Sequence, residues 1–326
     1  IDKSFENGYI NLGNLYIDLK NNKKAEEIYR QVLRINSNSE LGNLNLGTIL
    51  LDKGELEEAK ELFVKTIKIN PKSANAFFSL SKFKDINNNE SFKKNLFSNE
   101  LLKNQNELSK ANIFFARSNI NHLERKFDDS KKNLILANTI KLKFFKSDAE
   151  KRINFTNYVH KKNSKNDLNT DFYFEKKNYL FIVGMPRSGS TLVESIISQN
   201  NDVTDLGETE ALPFSYKKWL HKQGKESLLD IYNKEIKVDL IDTQNITDKN
   251  LSNYSLVPII LDQIKSSRII HCYRNPLDNI LSIYRANFIG GYSYSSSLID
   301  SSKVLLNEQK IMHIYKQLFP KNIYSV

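Results

Sequence analysis

The sequence predicts two different folds in series: a solenoid of paired helices, followed by an α/β domain built on a parallel sheet. Small and apolar residues in the first part recur at a fixed spacing, which is typical of stacked helical pairs. Further along, an apolar run from Tyr179 to Val183 leads through a glycine-bounded loop into a helical pattern. Short apolar runs and helical segments then alternate, which favours parallel strands with helical crossovers.

Length and charge limit the classes of function. The chain has 326 residues and a formal net charge of +10, so it is long enough for two domains with separate cores. Its basic residues are spread through the sequence and form no arginine-rich block, so we expect no nucleic-acid partner. The positive charge is consistent with a basic pocket for a phosphorylated nucleotide.

The single cysteine, Cys272, excludes an intrachain disulfide and a cysteine zinc site. We interpret it as a small core residue of a buried strand, and we expect no metal site. No signal peptide opens the chain and no apolar stretch approaches about 18 residues, so we expect a cytoplasmic protein without a membrane span. The chain begins at Ile1 rather than Met, which leaves open a missing segment with a targeting signal.

The first part of the chain repeats with a period of 34 residues. The matched pairs are Leu12 and Leu46, Gly13 and Gly47, Ala25 and Ala59, and Tyr29 and Phe63. This period is similar to that of tetratricopeptide repeats, in which small residues let two helices approach closely. We predict about four helical pairs within residues 1–160, with a concave face that binds an acceptor protein or peptide.

A polar segment without an apolar period separates the two predicted domains. We place a linker at 161–174 and an α/β domain at 175–326, beginning with the lead-in to the strand at Tyr179. The second domain contains the candidate site.

The stretch from Gly184 to Thr191 has the spacing of a P-loop, two glycines separated by four residues and followed by Ser-Thr. Backbone N–H groups and the positive end of the following helix would converge there on one anion. A nucleotide hydrolase carries Lys where Ser190 stands, whereas the cation here is Arg187 inside the loop. This change disfavours ATP or GTP cleavage and favours another phosphorylated ligand.

The stretch Pro186-Arg-Ser-Gly-Ser-Thr-Leu192 resembles the 5′-phosphosulfate loop of sulfotransferases that use 3′-phosphoadenosine 5′-phosphosulfate (PAPS). It is most similar to the loop of tyrosylprotein sulfotransferases and of bacterial tetratricopeptide-repeat sulfotransferases. The resemblance covers nearly the whole chain and implies a sulfotransferase fold. Relatives continue beyond the position of Val326, so we expect a fragment that is incomplete at its C-terminus. The implied contacts to the donor's phosphosulfate are Pro186, Arg187, Ser188, Gly189, Ser190 and Thr191.

A second motif, Arg274-Asn-Pro-Leu-Asp-Asn-Ile-Leu-Ser282, resembles the 3′-phosphate motif of the same superfamily. Arg274 can bind a phosphate with two parallel hydrogen bonds, and the Ser282 hydroxyl can add a third. A 3′-phosphate site would distinguish PAPS from ATP. The alternative is a surface ion pair between Arg274 and Asp278.

The resemblance also implies catalytic residues. Gly207-Glu208-Thr-Glu210 is similar to the Gly-Glu-Glu stretch that supplies the general base; we choose Glu208 and keep Glu210 in reserve. Either carboxylate could instead cap a helix. Asp248-Lys249 resembles the segment that supplies a catalytic lysine, with Asn250-Leu251 where the family usually shows proline. Lys249 and Arg187 would stabilise the leaving group without a metal.

The resemblance therefore predicts transfer of a sulfuryl group from PAPS to a hydroxyl of a protein tyrosine, a glycan or a small molecule. Two alternatives stay open: a non-catalytic repeat scaffold with a relic transferase domain, and a P-loop kinase or NTPase. His271 lies inside a predicted strand, and we interpret it as a packed or hydrogen-bonded core residue rather than a base.

Overall fold

The computed structural model of the chain describes residues 4–19, 21–163, 176–222, 225–288 and 290–326. The chain divides into two compact units, Ile1–Phe145 and Lys146–Val326. The first is helical and the second contains a parallel sheet, so the predicted fold class is confirmed. Across these described stretches, every helix is too short or too polar to span a bilayer.

The first unit consists of consecutive helices joined by short turns. They are α1 (Ser4–Asp18), α2 (Asn22–Ile35), α3 (Glu40–Lys53), α4 (Leu56–Ile69), α5 (Ala74–Leu80), α6 (Glu90–Leu96), α7 (Glu107–Leu123) and α8 (Phe127–Phe144). Three of the expected helical pairs pack closely: α1 with α2, α3 with α4, and α7 with α8. Where the remaining pair is expected, the sequence repeat loosens: the two shortest helices, α5 and α6, are separated by a 3₁₀ turn at Lys84–Asn88, and α5 packs against α7.

The 34-residue period reappears in the hydrogen bonds. The Asn36 side-chain amide donates to Glu6 at 2.8 Å, and Asn70 donates in the same way to Glu40 at 2.9 Å. Each asparagine stands at the C-cap of the second helix of its pair, and each glutamate lies in the first turn of the first helix. The same contact therefore closes both repeats.

Small residues allow the paired helices to approach, as the sequence predicted. A Cβ atom added to Gly13 would lie 2.6 Å from the Tyr29 ring, and one added to Gly47 would lie 2.9 Å from the Phe63 ring. Both rings are fully buried. The glycines are thus required for space rather than for an unusual backbone conformation.

Replacement of Gly47 by Ala is expected to destabilise the first unit by about 1–3 kcal/mol, because the new methyl group overlaps the Phe63 ring. Gly8, in α1, is a matched control, since no atom lies within 4 Å of its added Cβ. Gly8→Ala should be neutral or stabilising by up to about 1 kcal/mol through helix propensity. Urea denaturation followed by circular dichroism measures both changes. Equal effects from the two variants would contradict the packing argument.

The second unit surrounds a five-stranded parallel sheet with strand order β2-β3-β1-β4-β5. The strands are β1 (Asn178–Gly184), β2 (Val203–Asp205), β3 (Asn245–Asp248), β4 (Ser267–Cys272) and β5 (Ile323–Ser325). The helices are α9 (Ala149–Asn163), α10 (Ser190–Ile197), α11 (Ala211–His221), α12 (Leu228–Glu235), α13 (Val257–Gln263), α14 (Pro276–Arg285) and α15 (Leu298–Leu318), with 3₁₀ turns between several of them.

All carboxyl ends of the strands meet at one edge of the sheet. Gly184 at the end of β1 pairs with Cys272 at the end of β4, so the loops that follow these strands are neighbours. Ligands of open α/β sheets bind at this edge. Cys272 is buried as predicted, and burial raises the pKa of its thiol to about 11.

Helix α9 belongs to the second unit, whereas the sequence placed 1–160 in the repeat domain. Val159 is fully buried in the same hydrophobic cluster as the sheet, and the Thr156 and Ser255 hydroxyls lie 2.8 Å apart. The sequence shows that this segment is helical but not which core it covers. Residues 161–163 of the predicted linker form the end of α9, and 164–174 lie outside the described residues.

Candidate functional site

The loop between β1 and α10 has the geometry of an anion site. Gly184 and Gly189 have φ of 141° and 97°, and Arg187 has φ of 68°, the left-handed region that non-glycine residues seldom adopt. Gly189 is the N-cap of α10 and has no side chain to accept hydrogen bonds from the first turn. The Ser188 hydroxyl is buried without a partner among the described residues. An anion would satisfy these donors.

The strand-to-helix corner between β4 and α14 is different, because the backbone N–H groups in the first turn of α14 are already satisfied. The Asn275 side chain accepts from the N–H groups of Leu277 and Asp278 at 3.0 and 3.3 Å. An anion here would therefore be held by side chains. Arg274 is exposed directly before this cap, and it forms no ion pair with Asp278.

Two hydrogen bonds join the corners. The Arg187 guanidinium donates through Nε to the Ser282 hydroxyl at 3.3 Å. The Asn279 amide, 1% exposed, donates to the Pro186 carbonyl at 2.9 Å. The structure thus brings together the two predicted phosphate motifs. Asn279 was not predicted as a site residue; its position one turn before Ser282 on the same helix was the available signal.

Lys249 connects the end of β3 to the first turn of α10. Its ammonium group donates to the Thr191 hydroxyl at 3.2 Å and lies 3.0 Å from a Glu194 carboxylate oxygen. Lys249 and Glu194 are 6% and 5% exposed. The predicted catalytic lysine is therefore next to the glycine loop. Glu194 is a further site residue that the sequence analysis missed, since it lies in an apolar-periodic helix with no motif to mark it.

Hydrogen bonds join the segment after β2 to the residues that follow β3. The Lys249 backbone N–H donates to the Gly207 carbonyl at 3.0 Å, and the Asn250 side chain donates to the Thr209 carbonyl at 2.8 Å. The Asn250 amide thus holds the adjacent loop, a contact that proline could not make.

The two candidate bases differ in their contacts. Glu208 is exposed, and its carboxylate lies 3.9 Å from the Lys249 ammonium group. Glu210 accepts a hydrogen bond from Asn250 at 3.2 Å. Glu210 also occupies the N-cap position of α11, but its side chain forms no capping hydrogen bond. The carboxylate of Glu208 is therefore near the Lys249 ammonium group, whereas that of Glu210 is hydrogen-bonded to the Asn250 amide.

The residue before the lysine is a buried acid. Asp248 is 2% exposed; it accepts from the Tyr232 hydroxyl at 2.9 Å and from the Asn250 N–H at 3.0 Å. Burial raises the pKa of its carboxyl to about 7, although these two hydrogen bonds act in the opposite direction. These contacts fix the turn that presents Lys249.

Arg152 of α9 links the segment after β3 to the segment after α14. Its guanidinium donates to the Ser252 hydroxyl at 3.1 Å and to the Gly291 carbonyl, and it lies 5.4 Å from the centre of the Tyr292 ring. Burial and, to a smaller degree, the charge of Glu208 raise the pKa of Tyr292 to about 12. Arg152 was not predicted, because its helix was assigned to the other domain.

His271 is a hydrogen-bonded core residue, as interpreted from the sequence. Its Nε2 lies 2.7 Å from a carboxylate oxygen of Glu308, and both side chains are buried. Within the part of the chain that the structure describes, no group of three or more His, Cys, Asp or Glu residues could hold a metal ion.

Two family models match separate parts of the chain. Residues 180–326 match the model of a sulfotransferase family. Residues 7–39 and 42–73 match a tetratricopeptide-repeat model. The first match includes every strand-end loop of the candidate site, and the second covers the first two helical pairs.

A protein from Aquifex aeolicus (strain VF5), described as an uncharacterized protein, is 29% identical over 173 residues. The match covers 46% of this chain and 23% of that protein, so the chain spans under a quarter of the relative's length. Its description assigns no activity. The family matches thus identify the chain as tetratricopeptide repeats followed by a domain of the sulfotransferase family.

Proposed function

We propose that the second unit transfers a sulfuryl group from PAPS to an acceptor hydroxyl. The observation that carries the proposal is the pairing of two strand-to-helix corners. Arg187 of the glycine loop contacts Ser282 of the second motif, and Asn279 contacts Pro186. Two basic corners held together in this way fit a ligand with two separate anionic groups.

The residues present fit the donor. The 5′-phosphosulfate would lie at Arg187 and the backbone N–H groups from Ser188 to Thr191, where the N-cap glycine and the unpartnered Ser188 hydroxyl leave donors available. The 3′-phosphate would be held by Arg274 and Ser282. When bound, PAPS supplies the sulfuryl group and leaves as adenosine 3′,5′-bisphosphate.

The chain's own groups move the proton and stabilise the charge. The oxygen of the acceptor hydroxyl would form a bond to sulfur while the bond from sulfur to the phosphate oxygen of PAPS breaks. Glu208 would accept the proton that the acceptor hydroxyl loses. Lys249 and Arg187 would stabilise the negative charge that develops on the leaving phosphate. Glu208 lies 3.9 Å from Lys249, and this short distance supports the proposal that the two residues act on the same reacting group.

The acceptor class stays open among a protein tyrosine, a glycan and a small molecule. The charge of Glu208 contributes to the raised pKa of Tyr292, so Tyr292 would lie near the acceptor site. Because tetratricopeptide repeats commonly bind peptides or proteins, we propose that the first unit recruits an acceptor or partner protein. Mass spectrometry of a cell extract incubated with the protein and isotopically labelled PAPS would identify the acceptor.

Arg274→Ala is expected to weaken binding of adenosine 3′,5′-bisphosphate by about 10- to 100-fold, because a charge-assisted pair to the 3′-phosphate is lost. Isothermal titration calorimetry measures the affinity, and Arg34→Ala on the exposed surface of α2 is a control that should leave it unchanged. Equal binding by wild type and Arg274→Ala would contradict the assignment. Preferential binding and Mg²⁺-dependent turnover of ATP would favour an NTPase instead.

A further inference from the structure

A buried carboxylate stands beside the anion site and takes no part in the proposed reaction. Glu194 lies on α10, one turn after Ser190, and its side chain is 7% exposed. Besides the Lys249 ammonium group, it meets only the Thr247 hydroxyl, at 3.5 Å, among the polar contacts that the structure describes. A buried carboxylate is costly unless it is paired, and Lys249 is the cation that pairs with Glu194.

Lys249 is shared between two carboxylates and the glycine-loop helix. Its ammonium group is 3.0 Å from Glu194 and 3.9 Å from Glu208, and it donates to the Thr191 hydroxyl at 3.2 Å. Thr191 belongs to the predicted phosphosulfate contacts. An anion bound at the first turn of α10 would therefore compete with Glu194 for the same cation.

We infer that Glu194 is a positioning residue that holds Lys249 at the glycine loop and, through its negative charge, weakens the binding of the bisphosphate product. This inference rests on the proposed function, because it concerns the same donor site. The hydrogen bond to Lys249 fixes the ammonium group beside Thr191. The opposing charge keeps that group from binding a multiply charged product too tightly to release.

The substitution Glu194→Gln separates the two roles of Glu194, which are to hold Lys249 and to weaken product binding. Glu194→Gln keeps the shape and a hydrogen-bond acceptor for Lys249 but removes the negative charge. Binding of adenosine 3′,5′-bisphosphate should become about tenfold tighter, since the carboxylate no longer competes with the ligand for the Lys249 ammonium group. A residue that served only as packing would give weaker binding on substitution.

A double-mutant cycle tests the inference by calorimetry on the full chain. Lys249→Met should weaken bisphosphate binding, and adding Glu194→Gln to it should change the affinity less than twofold, because the effect operates through the ammonium group. Asp205→Asn, an exposed carboxylate at the end of β2, controls for general loss of charge and should change the affinity less than twofold. Circular dichroism checks folding, and Glu194→Met replaces the glutamine variant if that variant unfolds.

The outcomes distinguish this inference from the function on which it rests. One outcome is that wild type binds the bisphosphate, Arg274→Ala binds it more weakly, and Glu194→Gln binds it no more tightly than wild type. In that case the role given to Glu194 is wrong, but the proposed donor site is retained. Equal tightening in the presence and absence of Lys249 would also overturn the inference. If wild type binds no bisphosphate, both proposals fail.

Discussion

The substitution Gly184→Ala is expected to unfold the second unit or to destabilise it by at least about 4 kcal/mol. An added Cβ would lie 2.3 Å from the Cys272 carbonyl oxygen, which is backbone and cannot rotate away. The φ of 141° is also one that alanine rarely adopts. Relief of the overlap requires β1 and β4 to separate at the centre of the sheet.

Gly189→Ala is the matched control at the other end of the loop. Its φ is 97°, but no atom lies within 4 Å of an added Cβ, so only backbone strain of about 1–3 kcal/mol opposes the substitution. Urea denaturation followed by intrinsic fluorescence compares the two variants. If Gly184→Ala were no more destabilised than Gly189→Ala, the close approach of the two strands would not be a constraint on the fold.

Glu208→Gln is expected to lower the rate of sulfuryl transfer by about 10²- to 10⁴-fold, because an amide cannot accept the acceptor's proton. The side chain is exposed at a loop, so the free energy of unfolding should change by less than about 0.5 kcal/mol. Transfer of label from PAPS to an acceptor in the cell extract measures the rate.

Glu210→Gln separates the two candidate bases. Glu210 accepts a hydrogen bond from the Asn250 amide, and glutamine can keep that bond through its carbonyl oxygen. We therefore expect less than a tenfold loss of transfer. A larger loss in Glu210→Gln than in Glu208→Gln would assign the base to Glu210.

The repeat and the alternation of strands and helices could be predicted from the sequence, because each has a local signature. The spacing of Gly13 and Gly47 reflects a packing requirement that the first two repeats share. The apolar strand and the glycine loop lie together in the chain, so the position of Arg187 followed from adjacent residues. In both cases the local structure could be inferred from residues that are close together in the sequence or that recur at a fixed spacing.

The remaining site residues depend on contacts between distant segments. Glu194 and Lys249 pair across two strand-to-helix connections, and nothing near Glu194 in the sequence indicates a buried cation. Arg152 lies on a helix whose polar and apolar pattern fits either core. Only the three-dimensional contacts to Ser252 and Gly291 assign that helix to the second unit.

The placement of α9 has a practical consequence for truncated proteins. A shortened protein that starts at the boundary of the family match, residue 180, would lack α9 and the first two residues of the central strand β1, Asn178 and Tyr179. Loss of Val159 would open the apolar side of the sheet to water, and loss of Arg152 would release the turn at Gly291. A cut near residue 146 retains the whole folding unit, which makes it the appropriate start for a shortened protein.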